Sequence, residues 1–129
     1  MQIKDYLDEI LNLIAENPFA VSQSLSFEER PPDSAFITGT VTFTDGSMLH
    51  LKEFVIFEPK GAIVLKYGYN YLAEDETLNF RYDNAFDPLA KSLSTYPEHK
   101  HTANGLVSAK RPTFRDVLSE ISALMEVEK

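Results

Sequence analysis

Asp45-Gly46 stands between two stretches in which apolar and polar residues alternate, and no other feature of the chain limits its fold as tightly. The commonest two-residue hairpin turn needs positive φ at both central positions. Asp and Gly tolerate that, so the dipeptide predicts two antiparallel strands joined back to back. The strand before it runs from Phe36 to Thr44, where Ile37, Val41 and Phe43 alternate with threonines around Gly39. Thr40, Thr42 and Thr44 suit the solvent face of a pleated strand. The strand after it, Ser47 to Glu58, closes at Glu58-Pro59-Lys60-Gly61, and a second hairpin leads into Ala62 to Ala73. Beyond the acidic turn Glu74-Asp75-Glu76, Thr77 to Asp83 makes another strand. The first strand starts at Ala20, with Val21, Gln23, Leu25 and Phe27 alternating with serines until Arg30-Pro31-Pro32-Asp33 breaks it. Short connections between successive strands imply antiparallel neighbours, and so a five-stranded meander.

At either end the period changes to that of a helix. Ile3, Tyr6, Leu7, Ile10, Leu13 and Ile14 share one face of a predicted helix 2–16, which Asn17-Pro18 terminates. A core-facing role for this stripe outweighs a partner-binding one. Thr113 is placed as the N-cap of a second helix, 113–126, with Pro112 before it and Asp116 in the third position of a capping-box variant. Phe114, Val117, Leu118, Ile121 and Leu124 form its buried stripe, flanked by Met125. The expectation is one α+β domain over residues 1–129: helix 2–16, sheet 20–83, a long functional loop 84–111, and helix 113–126. The loop is singled out because its periodicity vanishes while it carries Pro88, Pro97, Gly105 and two of the three histidines. Irregular stretches of more than about 15 residues in a compact domain are usually functional or disordered.

Composition narrows the classes. With 43% hydrophobic residues the chain can build a real core. A formal net charge of −8 argues against non-specific adhesion to nucleic acid or anionic lipid, favours a basic protein partner, and requires any nucleic-acid site to be a local basic patch. Without cysteine there is neither a disulfide framework nor a thiolate metal site. Lys4, Asp5, Asp8, Glu9 and Glu16 interrupt the first helix, which resembles neither a signal peptide nor a membrane span, so a cytoplasmic protein with no membrane partner is expected.

His99-Lys100-His101 is the sharpest chemical feature. In an extended segment residues 99 and 101 point one way and Lys100 the other. Two imidazoles on one side suit an acid–base pair near neutrality, or two ligands of a metal ion, or an ordinary polar loop. Spacing places no third ligand, so the acid–base reading, without metal or other cofactor, is preferred to the metal one. In Arg81-Tyr82-Asp83-Asn84, alternation puts Arg81 and Asp83 on one face. Arg81 could clamp a phosphate, or pair with Asp83 or Glu53. Glu53 falls inward with Leu49, Leu51, Val55 and Phe57 unless a bulge at Lys52-Glu53 shifts the register. A buried carboxylate needs a partner or acid–base work to justify it. Tyr67, Tyr69 and Tyr71 line up with Ile63 and Leu65, as a base-stacking row or, preferably, as core edge. His50 reads as a surface residue. No Gly-rich phosphate loop, HExxH or Gly-x-Ser-x-Gly is present, which removes most cofactor enzymes and acyl-transfer hydrolases but leaves phosphodiester chemistry on His, Arg, Lys, Tyr and Glu.

Phe80-Arg81-Tyr82-Asp83-Asn84, then Tyr96-Pro97-Glu98-His99-Lys100-His101 and a final Pro-preceded helix, resemble the TumE family of prokaryotic toxin components. Leu51-Lys52-Glu53-Phe54-Val55 and Lys66-Tyr67-Gly68-Tyr69-Asn70-Tyr71 fit the same pattern, and the resemblance covers roughly residues 35 to 125. It implies one half of a type II toxin–antitoxin pair, neutralised by a cognate antitoxin of helix-turn-helix DNA-binding type, and it leaves room for a homodimer. Two departures stand out. Members often carry Pro-His-His after the Asp-Asn pair, where this chain has Ala85-Phe86-Asp87-Pro88, and tend to have histidine where Asn70 stands. The leading expectation is a metal-independent ribonuclease-type toxin. Its catalytic residues would be His99, His101 and Glu53, with Arg81, Lys100, Tyr69 and Asp83 binding substrate. The runner-up is a non-catalytic interaction module. A small-molecule binding domain comes third.

Overall fold

A computed structural model describes residues 1–127 of the chain. Helix α1 (Ile3–Glu16) leads into seven strands: β1 (Ala20–Arg30), β2 (Ser34–Phe43), β3 (Met48–Glu58), β4 (Gly61–Leu72), β5 (Leu78–Asp83), β6 (His99–Thr102) and β7 (Gly105–Ser108). Helix α2 (Phe114–Val127) ends the described chain, and a single 3₁₀ turn occupies Pro88–Ala90. The strands form one antiparallel sheet in the order β1-β2-β3-β4-β5-β6-β7, an unbroken meander. Asp45-Gly46 joins β2 to β3 in a hairpin as expected, but only Gly46 takes positive φ, at 84°. Gly46 N donates to the Phe43 carbonyl at 3.0 Å, so Thr44 and Asp45 are the central turn residues, and Asp45 Oδ1 accepts from Ser47 N at 2.9 Å.

The meander is two strands longer than expected. The aperiodic stretch 84–111 is not one loop but contains the β6–β7 hairpin. His-Lys-His-Thr shows no apolar alternation, so periodicity could not reveal it. Ala103-Asn104 form its two-residue loop between the paired Thr102 and Gly105, and Gly105 takes positive φ, at 112°, where the loop closes. A second correction concerns β4. Its register against β3 slips between Phe54/Lys66 and Val55/Val64, leaving Leu65 as an extra residue. Ala62 and Val64 therefore pack on the core, while Ile63 and Leu65 are exposed rather than in line with the tyrosines.

Both helices cover one face of the sheet. Ile37, Val41, Leu49, Leu51, Val55 and Phe80 meet Ile10 and Ile14 of α1 and Val117, Leu118 and Ile121 of α2. Asn17 Nδ2 donates to Ser122 Oγ at 2.9 Å, tying the end of α1 to α2. The α2 cap is reciprocal as read: Asp116 N donates to Thr113 Oγ1 and Thr113 N to Asp116 Oδ2, both at 3.1 Å. The opposite face carries Ser24, Ser26, Thr38, Thr40, Lys52 and Asn70, and among the described residues neither α1 nor α2 lies over it.

Candidate functional site

Strand pairing assembles the site. β5 and β6 pair Asp83 with His99 and Arg81 with His101. With a side-chain period of two, all four side chains emerge on the helix-free face. His99 Nε2 lies 3.1 Å from Asp83 Oδ1, and His101 Nε2 lies 3.4 Å from Asp83 Oδ2. The two imidazole Nε2 atoms are 3.1 Å apart. Arg81 Nε is 3.2 Å from Asp83 Oδ2, and its terminal nitrogen is 3.4 Å from His101 Nε2. The segment between β5 and β6 folds back over this end of the sheet. Its Pro97 carbonyl accepts from His99 Nδ1 at 2.6 Å, and its Ala85 N donates to Asp83 Oδ1 at 3.0 Å. The His99 side chain is wholly enclosed, Asp83 and His101 are mostly so, and the Arg81 side chain is 42% exposed.

Asn84, next to Asp83 in sequence, clamps the β4 bulge from across the strand pair. Its Oδ1 accepts from Tyr67 N at 3.1 Å and its Nδ2 donates to the Leu65 carbonyl at 2.9 Å. The bulge and the start of the covering segment are thus one unit, which fixes where Asp83 points. The His101 pKa is lowered. Burial is the largest cause, the Arg81 cation adds to it, and Asp83 partly opposes it. Among the described residues, three buried side-chain polar atoms have no hydrogen-bond partner: Tyr67 Oη, Asn70 Oδ1 and Arg81 Nε. Two of the three sit together, since Asn70 is paired with Arg81 across β4 and β5. Although Arg81 Nε is within ion-pair distance of Asp83, its N–H is not aimed at the carboxylate. Unpaired buried polar atoms beside a cleft mark a place where a ligand completes the bonding. The cleft is a groove of about 1060 Å³ along the helix-free face, lined by Lys52, Lys66, Phe36 and Phe54 as well as the cluster.

Three residues expected in the site lie elsewhere. Glu53 is buried on the helix-covered face, where strict alternation put it, and the bulge considered at Lys52-Glu53 does not occur. Its partner is not Arg81. Tyr6 Oη of α1 donates to Glu53 Oε1 at 2.5 Å, Tyr69 Oη donates to Oε2, and an Arg111 terminal nitrogen lies 3.4 Å from Oε2. Tyr69 accepts from Arg111 Nε at 3.1 Å, has no exposed surface, and packs stacked on Tyr67. The tyrosine row is core, as preferred, and offers no face to a base. Lys100 points opposite its flanking histidines as the alternation requires, and so reaches Glu120 of α2 at 2.7 Å beside the Tyr82 ring, far from any shared phosphate with Arg81. The β5–β6 register brings Arg81, Asp83, His99 and His101 together, and the sheet itself separates them from Glu53, Tyr69 and Lys100. Arg111, the true partner of Glu53, was missed: it lies at the end of an irregular segment, where no periodicity assigns a face.

The arrangement can hold an anion at Arg81, pass protons among two imidazoles and a carboxylate, or surround a cation with three lone-pair donors. No helix among the described residues is long and apolar enough to cross a membrane. No curated protein and no solved structure matches the chain. The family model described as Toxin TumE matches residues 10–127, nearly the whole length and including every residue of the cluster, so the chain belongs to the TumE toxin family.

Proposed function

We propose that this TumE-family protein acts as a toxin on RNA in the cytoplasm, by phosphodiester chemistry at Asp83, His99 and His101 with Arg81 as the phosphate clamp. What supports the reading is the convergence of one guanidinium and two imidazoles on a single carboxylate, at 3.1–3.4 Å, in a groove. A groove of about 1060 Å³ has room for nucleotide-sized ligands, for which pockets of roughly 300–1,000 Å³ are usual. Lys52 and Lys66 line it and relieve the acidic field of the whole chain locally. RNA is preferred to DNA because its 2′-hydroxyl is a built-in nucleophile. The cluster takes the hydroxyl proton, the 2′-oxygen bonds to the adjacent phosphorus, the bond from phosphorus to the 5′-oxygen breaks, and a proton returns to that oxygen. Arg81 stabilises the charge gathering on the equatorial oxygens.

Growth arrest on induction tests this. Wild-type protein should arrest growth, and a His99→Ala/His101→Ala protein present at the same soluble level should not. Equal arrest would remove the histidines from the mechanism. The toxin family implies an antitoxin, and a helix-turn-helix DNA-binding protein with a basic contact surface suits a partner for a chain of net charge −8. A second reading, a non-catalytic interaction module, draws on Phe86 and Leu89, which are 80% and 79% exposed on the segment beside the cluster. Purified protein that cleaves no RNA yet co-purifies with the product of a neighbouring gene would decide for it.

A further inference from the structure

We propose that Asp83, His99 and His101 form a binding site for one divalent first-row transition-metal ion, with the ion held between the two Nε2 atoms and the Asp83 carboxylate. The argument starts from hydrogen positions. A carbonyl oxygen cannot donate, so the 2.6 Å contact between His99 Nδ1 and the Pro97 carbonyl places a proton on Nδ1. In the neutral ring Nε2 then carries a lone pair. That lone pair faces Asp83 Oδ1 at 3.1 Å and His101 Nε2 at 3.1 Å, inside an enclosure that leaves the His99 side chain no exposed surface. A lone pair turned on a carboxylate without water between them is repulsive unless positive charge sits among the three groups. One proton on Nε2 serves a single neighbour, yet Nε2 stands equally close to two. A cation at the centre serves all of them.

The distances fit an ion. Taking metal–ligand bonds of ~2.1 Å, neighbouring ligand atoms stand roughly 3.0 Å apart at right angles and roughly 3.4 Å apart in a tetrahedron. Here His99 Nε2 stands 3.1 Å from both Asp83 Oδ1 and His101 Nε2, and His101 Nε2 stands 3.4 Å from the other carboxylate oxygen, Oδ2, so the carboxylate would meet the ion with both oxygens. One ligand atom from each residue lies within 4.8 Å of the others. Two imidazoles and one carboxylate are borderline donors that suit zinc, manganese, iron or nickel better than calcium or magnesium. The surroundings match as well. Metal-bound histidines typically donate the other ring N–H to a carbonyl, as His99 does to Pro97. Asp83 Oδ1 is steadied by Ala85 N. Arg81 is the competing cation: its terminal nitrogen reaches His101 Nε2 and its Nε approaches Asp83 Oδ2. Its side chain is 42% exposed and can swing into the groove when an ion enters, which turns it toward an anionic ligand. With two imidazoles and one carboxylate as protein ligands, coordination positions remain for water and substrate. The site deepens the function proposed above, because the histidines and Asp83 would hold an ion that supplies a hydroxide ligand as the base for the 2′-hydroxyl proton, the hydroxide becoming water. Binding itself does not depend on RNA being the target.

Calorimetric titration of chelator-stripped protein with zinc, and visible absorption on titration with cobalt(II), test the site without RNA. Wild-type protein should bind one ion per chain and show the d–d bands of a site with imidazole and carboxylate ligands. Asp83→Asn and His101→Ala, both at partly exposed positions, should weaken binding by about 10–100-fold while keeping wild-type circular dichroism. His50→Gln should bind as the wild type does. Failure of the wild type to bind tenfold excess zinc or cobalt would overturn the proposal, and so would unchanged affinity in both site variants. Ion binding without RNA cleavage would sink the RNA reading and leave the metal site standing. Cleavage at full rate in chelator by protein that binds no ion would do the reverse.

Discussion

Replacing Arg111 with methionine removes the cation beside a carboxylate that has no access to water. The Glu53 side chain is fully enclosed, whereas the Arg111 side chain is 27% exposed. At 3.4 Å the pair attracts by about 5 kcal/mol gross for an effective dielectric constant near 20. Tyr6 and Tyr69 continue to donate to the carboxylate, and the partial exposure of Arg111 screens the pair. Arg111→Met should therefore cost about 3 kcal/mol, the lower end of what stranding a buried charge costs. With unfolding entropies near ~2.1 cal/mol/K per residue, that is a fall in Tm of about 11 °C. Glu53→Gln should cost only about 1 kcal/mol, since the amide still bonds to the tyrosines and Arg111 can turn toward water. The double variant should lose less than the sum of the two, by about 1–2 kcal/mol. Urea unfolding of the four proteins at pH 7 measures all three quantities. If Glu53→Gln is the costlier single change, or Arg111→Met costs less than about 1 kcal/mol, Glu53 is not the dependent partner and the account of this cluster fails.

Three further outcomes are expected. Asn84→Ala should destabilise by about 1–3 kcal/mol, since it strips two backbone groups of the β4 bulge of their partner; urea midpoints at unchanged slope would show it. Thr113→Ala should cost about 1 kcal/mol by opening the α2 cap, and a thermal melt indistinguishable from wild type would contradict the capping geometry. Burial raises the pKa of Tyr6, Tyr67 and Tyr69, most of all Tyr69, with the nearby Glu53 adding to it for Tyr6 and Tyr69. A folded-state pKa above the unfolded value of about 10 gives stability that is intact below pH ~10 and lost as pH rises beyond it. Near-ultraviolet absorbance should show these phenols ionising together with loss of circular dichroism. Their ionisation while the fold persists would count against the buried network.

Local chemistry carried much of the fold into the sequence. Asp45-Gly46 can make a tight hairpin by itself, and Thr113 with Asp116 can close a helix end by itself, so both features were legible from a few residues. Alternation likewise placed Glu53 inward and turned Lys100 away from His99 and His101, because side-chain direction along a strand follows from backbone period alone. Partners are another matter. Which cation meets Glu53 depends on how residues 84–111 return across the molecule, and that path is set by strand pairing, not by spacing. The same pairing turned an aperiodic polar run into β6 and brought Asp83, 16 residues upstream, against His99 as the third donor that sequence spacing could not supply. One extra residue in β4 moved Ile63 and Leu65 off the core, since a single-residue slip inverts every side chain beyond it. The chain alone determined a meander covered by two helices. The tertiary structure alone decided which charged groups share a face, because a sheet is a barrier as well as a scaffold and register determines which side each group is on.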